Sequence, residues 1–119
     1  MDGMTAQLEE ILKESLDQIE NRTERACAEV AAESVAKLRA TSPKNTGQYA
    51  AGWTTKPYTE GATKGYVVYN ATDYQLTHLL EHGHAKSNGR GRVRARKHIE
   101  PVEAQGMREL LEKIKHVAE

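Results

Sequence analysis

The sequence predicts an α+β domain in which a long N-terminal helix is followed by a β-hairpin, a short helix and a C-terminal helix. Three observations predict this order. Residues 5–40 contain neither proline nor glycine, and their apolar residues recur at spacings of three and four. The middle of the chain is rich in tyrosine, valine and threonine, which favour strands. A second segment with helical spacing begins at Glu100-Pro101.

The first helix is predicted from Thr5 to Ala40, because Thr41-Ser-Pro43 follows and the residue before a proline avoids the α conformation. At about 1.5 Å per residue this helix would be roughly 50 Å long, which exceeds the width of a compact domain of this size. Part of the helix must therefore overhang or break. Either outcome exposes apolar side chains to a partner.

Two strands and a hairpin are predicted after this helix. The segment from Gln48 to Tyr58 places Tyr49, Ala51 and Trp53 on one face by strict alternation. The segment Gly65–Asn70 is β-branched and aromatic, and the glycine-containing stretch between the two segments predicts a hairpin connection.

Two shorter helices complete the chain. The first is predicted from Tyr74 to Glu81, with Gly83 as its C-terminal cap and three leucines turned inward: Leu76, Leu79 and Leu80. The second begins at Glu100-Pro101 and extends to Val117 as an amphipathic helix.

Length and composition predict a single domain over residues 1–119. Leucine, isoleucine, valine and phenylalanine number only 20 of 119 residues, so we expect neighbouring subunits to complete the burial. The apolar runs are too short to span a membrane. The one cysteine, Cys27, excludes an internal disulfide.

The net charge of zero conceals a marked segregation of charge. Residues 1–40 carry nine acidic and five basic residues, whereas residues 84–99 carry six basic residues and no acidic one. We predict a mobile basic loop at residues 84–98, in which an extended backbone would project four arginines to one side. Three interpretations remain open: contact with an acidic helix of a neighbouring protein, a positive lining for passing DNA, or no specific role. The candidate interaction residues are Lys86, Arg90, Arg92, Arg94, Arg96 and Lys97.

A zinc site is the alternative of a different class. His78, Glu81 and His82 have the H-x-x-E-H order of one group of zinc peptidases, and histidines four residues apart share a helical face. Solvent-facing histidines on the polar side of the short helix are the competing interpretation. A zinc-dependent hydrolase would also need a distant carboxylate and a substrate cleft within a thin core.

Three motifs together resemble a known family. They are Thr41-Ser-Pro-Lys-Asn-Thr-Gly47 after the long helix, the segment Tyr74–Gly83 after a tyrosine-valine strand, and the segment Ala95–Val102 at the start of the last helix. In this order they resemble the head-to-tail joining family of long-tailed phages and prophages, whose members are minor tail components or tail-completion proteins. The motif residues expected to have structural roles are Pro43, Gly47, Glu81, Gly83 and Pro101.

The resemblance implies an antiparallel sheet with the long helix and the C-terminal helix packed on it. It also implies a structural protein without catalysis or cofactor, which assembles as a homo-oligomeric ring at the head-tail junction of the virion after synthesis in the host cytoplasm. Its partners would be other connector and tail proteins, with non-specific contact to passing DNA and none to a membrane. A small DNA-binding protein that uses the basic loop at residues 86–97 is the first rival.

The chain departs from the family pattern at several positions. Tyr49 stands where leucine is usual, and Lys97-His98 stands in place of Pro-Phe. His82 replaces a common aromatic residue, and His84 replaces a small hydroxyl residue. The Lys97-His98 change removes an aromatic anchor before the last helix, so a loosely docked loop is expected there.

Overall fold

The computed structural model describes residues 3–44, 46–86 and 89–117. As predicted, the fold is α+β, with the long helix and the C-terminal helix packed against an antiparallel hairpin. The elements in chain order are α1 (Gly3–Thr41), α2 (Gln48–Ala51), β1 (Trp53–Glu60), β2 (Thr63–Asn70), α3 (Tyr74–His82), β3 (His84–Ala85), β4 (Arg92–Val93) and α4 (Ile99–Val117).

Helix α1 is one uninterrupted helix of 39 residues. Its length of about 58 Å, at 1.5 Å per residue, exceeds the two short dimensions of a molecule that measures 78 × 25 × 22 Å. The helix therefore overhangs the rest of the fold and does not break. Residues 3–19, called the overhang below, are all exposed.

Strands β1 and β2 form the predicted hairpin. Their register runs from Trp53 opposite Asn70 to Glu60 opposite Thr63, so a two-residue turn, Gly61-Ala62, joins them. Gly61 has φ 58°, which glycine adopts at little cost. The predicted connection was too long, because residues 59, 60, 63 and 64 belong to the ladder.

The prediction of a strand beginning at Gln48 is wrong. Residues 48–51 form the short helix α2, in which the Ala51 N–H donates to the Gly47 carbonyl at 3.0 Å. Gly47 has φ 87° and turns the chain into this helix. Within α2 the adjacent residues Tyr49 and Ala50 are buried and Ala51 is exposed, so the alternation expected of a strand is absent.

The core is small and lies where α1, α2, β1 and α4 meet. Leu38, Tyr49, Trp53 and Val102 form its buried centre. Partly buried apolar residues pack around it: Val35, Val68, Leu76, Leu80 and Ile99.

Helices α3 and α4 have nearly the predicted bounds, but their apolar faces are only partly covered. Leu79 is 37% exposed, so the prediction that it points inward is wrong. Along α4, Met107, Leu111 and Ile114 are exposed, whereas Gly106 is buried against α1 and would place a Cβ 3.3 Å from Ser34 Oγ. Among the helices of the described residues, none has an apolar stretch that could cross a bilayer.

Candidate functional site

The predicted basic loop at residues 84–98, called the basic segment below, contains a short pair of strands. Strands β3 and β4 pair antiparallel, with His84 opposite Val93 and Ala85 opposite Arg92. The Lys86 N–H donates to the Gly91 carbonyl, and the Gly89 N–H donates to the Lys86 carbonyl, both at 3.0 Å. Four residues of the predicted loop are therefore strand residues, and residues 87 and 88 lie outside the described chain.

All six candidate basic residues carry exposed side chains: Lys86, Arg90, Arg92, Arg94, Arg96 and Lys97. The Arg96 backbone N–H donates to the Leu80 carbonyl at 2.7 Å and ties the segment to α3. Lys97 Nζ lies 2.8 Å from Glu100 Oε2, and this hydrogen bond raises the pKa of Lys97. The basic segment thus exposes its positive side chains while its backbone is tied to α3.

Glu81 anchors the end of the basic segment and the start of α4. It lies at the end of α3, is buried, and accepts three backbone hydrogen bonds across the chain. Oε1 accepts from the N–H groups of His98 and Ile99 at 2.8 and 2.9 Å, and Oε2 accepts from Glu100 at 2.9 Å. These are N–H groups at the start of α4, which have no partner within the helix. Glu81, which lies on α3, therefore caps the N-terminus of α4. Its negative charge also interacts favourably with the positive end of the α4 dipole.

His98 is the second anchor of the basic segment. It is 4% exposed, and its ring packs edge-on against Tyr49 and Trp53. Nδ1 lies 2.8 Å from the Arg96 carbonyl and 3.2 Å from Glu81 Oε1, while Nε2 lies 2.7 Å from the Tyr49 hydroxyl. A ring nitrogen that faces two acceptors carries the proton, so in the neutral ring Nε2 accepts from Tyr49. The expected loss of an aromatic anchor is wrong, because His98 takes that place.

The electrostatics of this buried cluster follow from its contacts. Burial by itself would raise the pKa of Glu81, but the three backbone donors, and His98 whenever its ring is protonated, lower it below its usual value. Burial, together with the Glu81 carboxylate, raises the pKa of Tyr49 to about 12. At neutral pH the cluster therefore contains an ionised Glu81 and a protonated Tyr49.

Gly83 lets the basic segment approach α3. Its φ of 74° and ψ of 176° define a conformation that is essentially restricted to glycine. A Cβ there would lie 2.6 Å from the Val93 carbonyl oxygen and 3.0 Å from the Ala95 nitrogen. The close backbone contact explains this motif glycine more fully than the predicted helix cap does.

The remaining motif residues lie at the turns predicted for them. Pro43 follows the end of α1, where the Ser42 hydroxyl accepts a hydrogen bond from Trp53 Nε1 at 2.8 Å. Pro101 lies in the first turn of α4, where a missing N–H costs no helical hydrogen bond.

Among the described residues, the histidines and the glutamate of the zinc hypothesis do not form a set of metal ligands. His78 and His82 lie side by side on α3, with ring centroids 4.8 Å apart. The Glu81 carboxylate is instead engaged by the start of α4. No group of three potential ligands suited to a metal ion occurs within residues 3–44, 46–86 and 89–117.

A second surface, which the sequence analysis missed, is an apolar cleft of about 510 Å³. Its floor is α1, one wall is α4, and the other wall is formed by β2 and Trp53. Cys27 lies on the floor, and Met107 and Tyr66 lie on opposite walls. The spacing of apolar residues along α1 marks the floor but does not reveal which elements form the walls.

Comparison with known proteins identifies the family. A family model described as "Bacteriophage HK97-gp10, putative tail-component" matches residues 2–83. This match covers the first two motifs and ends at Gly83, before the basic segment. No curated protein and no solved structure matches the chain. Because the match spans more than half of the chain, the protein belongs to the HK97-gp10-like family of phage tail components.

Proposed function

We propose that this tail component is a non-enzymatic structural protein of the virion that assembles as a ring at the head-tail junction. The observation that carries the proposal is the overhang, whose apolar side chains are 42–71% exposed: Met4, Leu8, Ile11, Leu12, Leu16 and Ile19. Six such side chains along one helix are costly to leave in water, and an assembly would bury them.

The basic segment is the second contact surface of the proposed ring. Glu81 and His98 anchor the end of this segment to the core, so the backbone position of Arg96 is defined before assembly. A defined cluster of charge suits recognition of an acidic neighbour, because little ordering entropy is lost on binding. Other connector and tail proteins are the remaining partners, and the ring would form in the host cytoplasm before it enters the virion.

Complementation of a phage that lacks this gene tests the proposal. We expect the full chain to restore joined particles, and we expect a variant with Leu8, Leu12 and Leu16 changed to glutamine to leave filled heads and separate tails in electron micrographs. Glu10→Gln, on the polar face of the overhang, is the matched control and should restore joining. Full infectivity of the triple variant would contradict the proposed contact.

A DNA-binding role is the second candidate, because the basic segment exposes Arg90, Arg92, Arg94 and Arg96. It requires the isolated chain to bind short duplex DNA with an affinity that falls steeply as salt rises. Fluorescence anisotropy would compare the wild type with a variant in which these four residues are alanine. The control variant replaces four exposed basic residues elsewhere, Lys44, Lys56, Arg108 and Lys115, which changes the net charge equally. Absence of binding in every variant, with assembly lost only for the arginine variant, would exclude this role.

A further inference from the structure

We infer that the overhang of one copy lies in the apolar cleft of the next copy, so that subunits join head to tail. The inference rests on the proposed ring and names the surface that receives each helix. It follows from the stripe of α1, the walls of the cleft, the unbroken helix and the acidic charge of the overhang.

One continuous stripe of α1 supplies both surfaces. Leu8, Leu12, Leu16 and Ile19 recur at spacings of 4, 4 and 3, and the same series continues through Thr23 to Cys27, Val30, Ser34 and Leu38. Eleven residues over three turns, or about 3.67 per turn, keep these positions on one face of a nearly straight helix. The first half of the stripe is exposed, and the second half is the floor of the cleft.

The cleft has the shape that an amphipathic helix requires. Helix α4 and strand β2 lie on either side of the floor, and the lining is predominantly apolar. Tyr66 and Met107, one from each wall, keep more than a third of their surface exposed. A helix lying in such a groove places residues at spacings of three and four against it, as the overhang can do.

The occupant must come from another copy. Helix α1 is unbroken from Gly3 to Thr41, so the overhang points away from the cleft of its own chain and has no turn with which to fold back. Identical overhangs are also poor partners for one another. Each carries Glu9, Glu10, Glu14 and Asp17 against a single base, Lys13, so pairing them would bring like charges together.

The cleft offers an overhang mainly apolar contact. Its lining carries one charged side chain, Glu103, so an overhang seated there would keep its own acidic side chains turned to solvent. Because the donor and acceptor surfaces differ, the contact is heterologous, and repeating it generates a closed ring when the rotation closes.

Disulfide trapping tests the inference, because Cys27 is the only cysteine and lies on the cleft floor. We expect at least one of the full-length variants Leu8→Cys, Leu12→Cys and Leu16→Cys to form, on oxidation, a ladder of dimers, trimers and larger species. The same variants combined with Cys27→Ala should give no cross-link. Lys13→Cys, on the polar face, is the matched control and should give no ladder.

A mixing measurement checks the same contact without cysteines. The full-length variant with Leu8, Leu12 and Leu16 changed to glutamine keeps the cleft but lacks the stripe. Added to the wild type, it should receive terminal wild-type overhangs in its own cleft, end the series of contacts there, and lower the mean mass of the assemblies by half or more at equal concentrations. If overhangs paired with one another, this variant would leave the assemblies of the wild type unchanged.

Three results would overturn the inference. They are cross-linked dimers that persist with Cys27→Ala, assemblies that give no cross-link with any stripe variant, and a wild-type chain that stays monomeric at every concentration. In each case, complementation that still restores joined particles would leave the proposed function standing. Loss of the cysteine ladder and of complementation together would remove both.

Discussion

The Tyr49 hydroxyl lies 2.7 Å from His98 Nε2 in the interior of the protein. The family motifs that the sequence resembles imply leucine at the first position and phenylalanine at the second. A hydrogen-bonded pair thus occupies the place where that resemblance implies an apolar pair. The pair joins α2 to the end of the basic segment and keeps the start of α4 docked.

The buried pair of Tyr49 and His98 predicts a strong energetic coupling between substitutions at the two positions. Tyr49→Leu leaves His98 Nε2 buried without a donor, and His98→Phe leaves the Tyr49 hydroxyl buried without an acceptor. Each change should lower the free energy of unfolding by about 2–4 kcal/mol, from the lost packing and the unsatisfied group. The double variant places an apolar pair at these positions and leaves neither polar group unsatisfied. Its loss in free energy of unfolding should therefore be smaller than the sum of the two single losses by about 1–3 kcal/mol.

Urea unfolding of the four proteins measures this coupling as a double-mutant cycle. The m-value checks that each variant unfolds to a similar extent. If the two effects simply add, the hydrogen bond does not contribute to stability in the way described.

Glu81→Gln should be more harmful than its small change in size suggests. The amide retains one carbonyl oxygen, so at least one of the N–H groups of His98, Ile99 and Glu100 loses its partner, and the negative charge at the start of α4 disappears. We expect a loss of roughly 2–3 kcal/mol in the free energy of unfolding. Glu10→Gln removes the same charge at an exposed position and should change stability by less than about 0.5 kcal/mol.

The Glu81 carboxylate also predicts that the free energy of unfolding falls at acid pH. Because the pKa of Glu81 is lower in the folded protein than in the unfolded chain, its contribution is present above the unfolded value, near pH 4.5, and is lost as pH falls through the folded value. Chemical unfolding between pH 7 and pH 3 should show a flatter decline for Glu81→Gln than for the wild type. Parallel profiles would mean that the three hydrogen bonds do not stabilise the ionised form.

Gly83→Ala and Gly89→Ala form a matched pair, since both glycines have φ 74°. A Cβ at Gly89 meets nothing within 4 Å, so its substitution should cost only the backbone strain, about 1–2 kcal/mol. The Gly83 substitution adds a clash with the backbone of the basic segment and a φ/ψ pair that is essentially restricted to glycine, so it should cost more. Thermal unfolding of the two variants gives the comparison, and equal losses would mean that the approach at Gly83 imposes no steric demand.

Much of the fold could be predicted because its signals are local. The absence of proline and glycine from Thr5 to Ala40 predicts α1, and the tyrosine-valine segment with its glycine turn predicts the hairpin. Helix α2 was missed because Tyr49, Ala51 and Trp53 also fit a strand. The tight turn at Gly47 and the hydrogen bond from Asn70 Nδ2 to the Tyr49 carbonyl decide in favour of a helix, and Asn70 is distant in sequence.

The role of Glu81 shows why the site was harder to predict. Its local pattern with His78 and His82 suggested a metal ligand, whereas its actual partners are 17 to 19 residues away and are backbone groups, which no side-chain pattern can mark. The cleft was missed for a similar reason, since its walls come from α4 and β2, which meet α1 only in three dimensions.

The central claim is that subunits bury the stripe of Leu8, Leu12, Leu16 and Ile19 in one another. Sedimentation velocity over a wide concentration range tests it most directly, with the wild type compared to the triple glutamine variant. We expect a wild type whose mass rises with concentration to a defined oligomer, and a variant that stays monomeric and unfolds cooperatively at a temperature that does not depend on concentration. A wild type that remains a compact monomer at every concentration, with a cooperative melt that does not depend on concentration, would contradict it.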